Sequence, residues 1–231
     1  MRRVLIVGGT GGLASHFKSE LKECNYDVSI TSRKVKEDRG DEFRYDPMDK
    51  SVSNDLTMHL LSVEHILFNI GSGKRRTNME FNPDDWDASM RINFQYVIDF
   101  LSFIENSDFG EIKTVTFISS IAALMDVGAP ISYSISKNAI NALTPILAKK
   151  WAPRIRVNAI CPGNILHDTS VWKEKLENEN DKTRELLIQT VPMNRFVSPA
   201  ELLNTFKYII NSNNLSVTGQ LFNVDGGQTL R

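Results

Sequence analysis

The sequence predicts an α/β domain: one doubly wound parallel sheet of about seven strands, spanning residues 1–231 as a single unit. Three observations carry this expectation. Short apolar runs alternate with stretches whose apolar residues recur at helical spacing. The first run, Val4 to Val7, opens into a glycine-rich turn, Gly8-Gly9-Thr10-Gly11-Gly12-Leu13-Ala14, that leads into a helical pattern through Phe17, Leu21 and Cys24. Later runs end in small polar or turn residues, Ser119-Ser120 and Pro162-Gly163, at what would be the carboxyl ends of strands, where open α/β sheets bind ligands.

Composition narrows the class. With 27 basic and 28 acidic residues there is no global field drawing the chain to nucleic acid or an anionic membrane. Cys24 and Cys161 fall in unrelated segments, and the four histidines show no ligand spacing with them, so neither a disulfide framework nor a metal site is expected. Only four apolar residues follow Met1-Arg2-Arg3 before Gly8, too few for a signal core or a membrane span. A cytoplasmic protein is the expectation.

Strand, glycine loop and helix in that order form the context of a dinucleotide fingerprint. Glycines let the backbone approach a pyrophosphate, and the helix N-terminus offers unpaired N–H groups; Gly8, Gly9, Thr10, Gly12 and Leu13 are the candidate contacts. The second strand, Val28 to Thr31, ends in Ser32-Arg33-Lys34, where an NAD site would place an acidic residue on the ribose. A serine and two cations fit a 2′-phosphate instead. NADP(H) is therefore favoured over NAD(H).

Phe43 to Asp46 reads as a third strand and Ile66 to Gly71 as a fourth with its exit. Lys74-Arg75-Arg76 is read first as a solvated loop, and second as a receptor for an anionic substrate. Pro83 to Glu105 reads as one helix, and its apolar residues from Phe94 to Ile104 cover more than one face. The sheet can cover one face only, so a second subunit is expected on the other. The next strand, Ile112 to Ile118, ends at Ser119-Ser120. Beyond it, Tyr133 and Lys137 stand four apart on the following helix and share a face. An ammonium beside a phenol favours the phenolate and should lower the tyrosine pKa. That helix runs on to Trp151 through Pro145, where a kink is expected. Arg154 to Cys161 is the sixth strand. Ile165 to Arg195, polar with sparse apolar anchors, reads as a substrate lid or, failing that, a surface helix pair. A helix from Pro199 and a strand from Gln220 to Val224 complete the pattern.

The spacing of Ser120 from Tyr133-Ser134-Ile135-Ser136-Lys137 resembles the signature of the short-chain dehydrogenase/reductase family, whose members have a Rossmann fold. The resemblance extends along the chain. Asn69 and Gly71 match part of an Asn-Asn-Ala-Gly segment, with Phe68 and Ile70 at the other places. Arg91-Ile92-Asn93 matches the family's catalytic asparagine, Pro162-Gly163 its exit beside the nicotinamide, and Asp225-Gly226-Gly227 its ending. Val7 and Ala14 depart from the usual loop, and His167 stands where the family often has a threonine, with Thr169 two places on. The resemblance implies Asp46 as an adenine contact and homodimers or homotetramers paired through the helices bearing Asn93 and Tyr133. It implies hydride transfer between NADP(H) and a small carbonyl compound or its secondary alcohol. Tyr133 would be the general acid/base, with Lys137 lowering its pKa and holding the nicotinamide ribose. Ser120 would orient the carbonyl, and Asn93 would place a water that resupplies the proton. The alternatives are a sugar-nucleotide-modifying enzyme of the same fold and a catalytically silent NADP-sensing regulator.

Overall fold

The computed structural model describes residues 1–46, 52–73, 79 and 81–230. Seven parallel strands form one sheet: β1 (Arg3–Val7), β2 (Asp27–Ser32), β3 (Glu42–Arg44), β4 (His65–Phe68), β5 (Thr114–Ile118), β6 (Arg156–Pro162) and β7 (Leu221–Val224), in the order β3-β2-β1-β4-β5-β6-β7. The chain moves outward from β1 to β3, then crosses back to β4 and builds the other half. That reversal parts the connections leaving β1 and β4 and opens a crevice at their carboxyl ends.

Alternation along each strand sorts the core into two layers. Leu5, Val7, Ile66, Phe68, Val115 and Phe117 face one side. There they meet helices α2 (Asn54–Leu60), α4 (Tyr96–Asn106) and α5 (Ile131–Trp151) through Leu56, Phe100 and Ile140 among others. Val4, Ile6, Val28, Ile30 and Leu67 face the other side, against α1 (Gly12–Glu23) and α8 (Pro199–Ile210) through Phe17, Leu21 and Phe206. Some helix starts are fixed by capping side chains. Ser53 accepts from the Leu56 N–H, and Ser198 and Glu201 form a reciprocal capping box ahead of α8.

The helix expected over Pro83 to Glu105 is not one regular helix. It divides into α3 (Pro83–Met90), a π-helical turn (Arg91–Gln95) and α4. Along α4 the buried residues Tyr96, Val97, Phe100, Leu101 and Ile104 form a single stripe, flanked by the half-buried Phe94, Ile98 and Phe103. The sheet side thus takes more of this apolar surface than the sequence implied. Helix α5 continues through Pro145 without a break. The segment expected as a lid holds two helices, α6 (Val171–Asn178) with no buried residue and α7 (Asn180–Thr190) anchored by Thr183 and Leu187. Among the described residues no helix is long and apolar enough to cross a membrane.

One buried group at the amino-terminal edge of the sheet ties stability to pH. His65 opens β4, is 4% exposed, and shares a 2.9 Å hydrogen bond between Nδ1 and the Thr114 hydroxyl. Burial, helped by the cations of Arg2, Lys113 and Arg156, lowers its pKa from 6.5 to about 4. The unfolded chain binds this proton near pH 6.5 and the native state only near 4. The stability present above 6.5 is therefore lost progressively as pH falls to 4, by roughly 3 kcal/mol in all. Urea unfolding of wild type and His65→Gln across this window should give a steeper loss in wild type; parallel curves would refute the assignment.

Candidate active site

The glycine loop leaves β1 and is tied to the end of β2. The N–H groups of Gly8 and Gly9 both donate to the Thr31 carbonyl, at 3.2 and 2.8 Å. The Thr10 and Ser32 hydroxyls lie 3.0 Å apart, a cross-link that serves the loop where Val7 carries no hydroxyl. Two glycines are demanded by geometry. Gly8 has φ +91°, and a Cβ on Gly9 would sit 2.3 Å from Ile30 Cβ. A Cβ on Gly12 would meet Thr169 Oγ1 at 2.5 Å and His167 Nδ1 at 2.7 Å. The segment after β6 therefore lies directly on the start of α1, and both candidate lid residues touch the loop. Burial holds the His167 pKa below its ordinary value.

Arg33 and Lys34 follow Ser32 as exposed side chains at the end of β2, and the Lys34 N–H donates to Ser32 Oγ at 3.1 Å. Asp46, half-buried, follows β3. Asn69 ends β4 within reach of the loop, its Nδ2 3.4 Å from the Gly8 carbonyl oxygen. Phe68, in place of a polar bracing residue, is 1% exposed and packs edge-on to Phe100 and against Phe117 at centroid distances of 5.5 and 5.2 Å. The sheet is braced here by aromatic packing rather than by hydrogen bonds. At the far side Pro162 ends β6, and the Gly163 N–H donates to the Val224 carbonyl at 3.0 Å. The Gln228 amide oxygen, buried and without a partner among the described residues, lies 3.2 Å from where a Gly163 Cβ would be. Lys74-Arg75-Arg76 lie outside the described residues.

Between these walls the structure brings Ser120, Tyr133 and Lys137 together. Ser120 caps a short 3₁₀ turn (Ile121–Ala123), accepting from the Ala122 N–H at 3.1 Å. Asn138, on α5, fixes the same turn by donating to the Ala123 carbonyl at 2.9 Å. Burial of the Tyr133 hydroxyl pushes the phenol's pKa up, while the neighbouring Ser120 hydroxyl pulls the other way. Lys137 is 3% exposed and donates from Nζ to the carbonyls of Ile70 and Ile118, at 3.0 and 2.9 Å. Its Nζ is 6.0 Å from the Tyr133 ring centroid, and burial brings its pKa from 10.5 down to about 8.

One expectation needs correcting. The Lys137 ammonium does not depress the phenol here, because it is bound to strand-end carbonyls, and desolvation outweighs what remains. Asn93 is wholly buried, and both ends of its amide are held. Its Oδ1 accepts from the Ser72 N–H at 2.8 Å, and its Nδ2 donates to the Ser72 and Ser89 carbonyls at 3.1 and 2.9 Å. That amide shapes the exit of β4. Sequence reading missed Ser72, Ser89, Ser119 and Asn138, which hold the catalytic candidates from behind; polar residues of such ordinary types carry no spacing signal.

Residues 49–229 match a family model described as enoyl-(acyl carrier protein) reductase. The chain belongs to the short-chain dehydrogenase/reductase family. It is similar to 2-dehydro-3-deoxy-D-gluconate 5-dehydrogenase of Dickeya dadantii, with 30% identity over 73% of this chain and 66% of that protein, just under two thirds of its length. Solved structures share the fold throughout. Aldohexose dehydrogenase of Thermoplasma acidophilum, in ligand-free form, has a TM-score of 0.85 at 21% identity, covering 100% of this chain and 94% of that one. ElxO with NADP bound has a TM-score of 0.84 at 20% identity, covering 100% and 99%.

The close approach at Gly9 is directly testable. Gly9→Ala should lower stability by about 1–3 kcal/mol through overpacking against Ile30. Gly11→Ala, with nothing within 4 Å of its Cβ, should stay within about 1 kcal/mol of wild type. Denaturant midpoints for both variants check this; equal midpoints would show that the loop yields.

Proposed function

We propose that this protein is an NADP(H)-dependent oxidoreductase that reduces the carbonyl group of a small molecule or oxidises the corresponding secondary alcohol. The observation that carries the reading is the convergence of Ser120, from the end of β5, with Tyr133 and Lys137 of α5 in a crevice whose other wall is the glycine loop. The residues present fit a dinucleotide. Gly8 and Gly9 cannot carry a Cβ without strain, nothing lies within 4 Å of where a Gly11 Cβ would be, and the cations of Arg33 and Lys34 stand free of carboxylates among the described residues at the end of β2. When bound, NADP(H) would supply the hydride.

The protein's own groups would handle the proton and the geometry. A desolvated phenol stays protonated at neutral pH, so Tyr133 is ready to donate to the oxygen of a carbonyl as negative charge develops there. The Ser120 hydroxyl would orient that oxygen. Lys137, with a pKa near 8, can both hold a ribose hydroxyl and exchange a proton once a ligand hydroxyl competes with the Ile70 and Ile118 carbonyls. Asn93 fixes the Gly71-Ser72 segment against the ammonium, since a Cβ on Gly71 would lie 2.8 Å from Lys137 Nζ and 3.1 Å from Asn93 Oδ1. Asp46 is read as the adenine contact, and Pro162 and Gly163 as the nicotinamide wall. The sparsely anchored α6 and α7 are read as a substrate lid hinged beside Thr169. The half-buried Phe94 of the π turn and Ile98 and Phe103 of α4, with the exposed Ile135 and Ile146 of α5, support a homodimer or homotetramer formed through these helices.

A paired experiment tests chemistry and cofactor together. Tyr133→Phe removes one oxygen, so turnover with a substrate found by NADPH screening should fall by about 10²–10⁴ while NADPH affinity is kept. Arg33→Ala should weaken NADPH binding by about tenfold or more and leave NADH nearly unchanged. Full turnover in the tyrosine variant would remove Tyr133 from the mechanism. A wild type that binds NADPH but turns over nothing would point to the regulator. Equal losses of both cofactors would refute the NADP assignment.

A further inference from the structure

The opposite end of the sheet holds a second concave site. A cavity of about 320 Å³ opens at the amino-terminal ends of the central strands, lined by Arg2, Glu64, His65, Lys113, Arg154 and Arg156 over an apolar floor of Ile210 and Leu215. That is within the size range of small-molecule sites. Strand register builds it: Val4 pairs with His65, His65 with Thr114, and Thr114 with Arg156, so Arg2, Lys113 and Arg156 come from the starts of β1, β5 and β6, with His65 of β4 between them. The short strand β5 separates this edge from the Lys137 end by about 13 Å.

The charges there are unevenly matched. Four cationic side chains face one carboxylate, Glu64, and Glu64 is paired with Lys113. Arg154 is engaged with Asp108 and with the Asp108 and Gly110 carbonyls. Arg2 and Arg156 have no carboxylate partner among the described residues. Arg2 donates to Ser212 Oγ at 3.1 Å, and Arg156 to the Val217 carbonyl at 3.0 Å. A guanidinium has five N–H donors, so most of those on Arg156 lack a protein acceptor although the residue is half-buried, and burial draws its pKa down. The His65 ring lies beneath them, 4% exposed, with Nδ1 bonded to Thr114 and no partner for Nε2 among the described residues. Solvated charges at strand starts would not need a pocket, a half-buried guanidinium short of acceptors and an unpaired ring nitrogen in one place.

We propose that this cavity binds a small polyanion bearing phosphate or carboxylate groups, gripped by the guanidiniums of Arg2 and Arg156 with His65 at the base. Two planar forks suit oxyanions of either kind. The site is separate from the cofactor crevice and stands whether or not the proposed reaction is correct.

Titration calorimetry at low salt, with inorganic pyrophosphate in one arm and citrate in the other, tests the site on the full chain. Wild type should bind at least one probe, and the stronger arm names the source class. Arg2→Gln and Arg156→Gln should each weaken that binding by at least about tenfold, and Arg33→Ala, at the opposite end, should not. Arg2 is exposed and among the described residues its side chain hydrogen-bonds only to Ser212, so Arg2→Gln reports even if Arg156→Gln disturbs the strand before β7. The His65 ring resonances should shift on adding the probe. No binding of either probe, binding unchanged in Arg2→Gln, or binding lost in Arg33→Ala would overturn the proposal.

Discussion

A buried ammonium with no carboxylate beside it among the described residues sets the terms for the catalytic end of this protein. Removing a cation from water costs several kcal/mol unless other groups replace its hydration. For Lys137 the replacements are two backbone carbonyls, those of Ile70 and Ile118, just beyond β4 and at the end of β5. Both must point the same way, which only parallel neighbours can arrange, and α5 must stand close enough for Nζ to reach them. The Ser119 hydroxyl, 3.3 Å from the Lys137 carbonyl, pins that helix to the strand end. Tyr133, one turn away, inherits its place from this anchorage, and Ser120 is held by the same short turn. Compensation is incomplete, as the lowered lysine pKa shows. A site that leaves its cation partly unsatisfied is prepared to exchange one of those carbonyls for a ligand.

The two ends of a parallel sheet are chemically unlike. At the carboxyl ends the strands offer carbonyls, and a lysine settles there. At the amino ends they offer N–H groups, and the cations of Arg2, Lys113 and Arg156 gather from three strand starts. In between, the faces are mostly apolar, with Ser29, Thr116 and Asn158 as buried polar exceptions, and the aromatic cluster of Phe68, Phe100 and Phe117 fills the middle of one side. The molecule thus keeps its polar chemistry at the two edges and its cohesion in the layer between them. A change in the strands is felt as packing, and a change at either edge as charge.

Most of the architecture was legible because it rests on periodicity. Apolar runs broken by Gly8, Ser119 and Pro162 located the strands within a residue or two, and the four-residue step from Tyr133 to Lys137 placed both on one helical face. Site geometry that depends on several elements at once was harder to see. Nothing in the spacing shows that the Lys137 ammonium meets strand carbonyls before it meets the phenol, because Ile70 and Ile118 act through backbone atoms that every residue has. Asn93 was visible by position, but its bonding to Ser72 and Ser89 depends on how β4 exits. The basic cavity draws on residues 2, 65, 113 and 156, which only strand register makes neighbours. The phenylalanine stretch of α4 read as covering several faces because it was laid on an unbroken helix, whereas a π turn precedes it.

That turn makes chain length matter at this point. An ordinary α-helix advances about 100° per residue, and a π turn accommodates one residue more than the regular winding would. Here it lets Asn93 look back toward Ser72 while Phe100 and Ile104, a turn or two later, look into the core. Removing one residue between Arg91 and Gln95 would let the chain wind as a regular α-helix with both flanks in register, and what would be lost is the bulge that aims the Asn93 amide at Ser72. The count of residues in the turn is thus under the same constraint as the identity of the asparagine, and homologous chains that keep one without the other would have to build this corner differently.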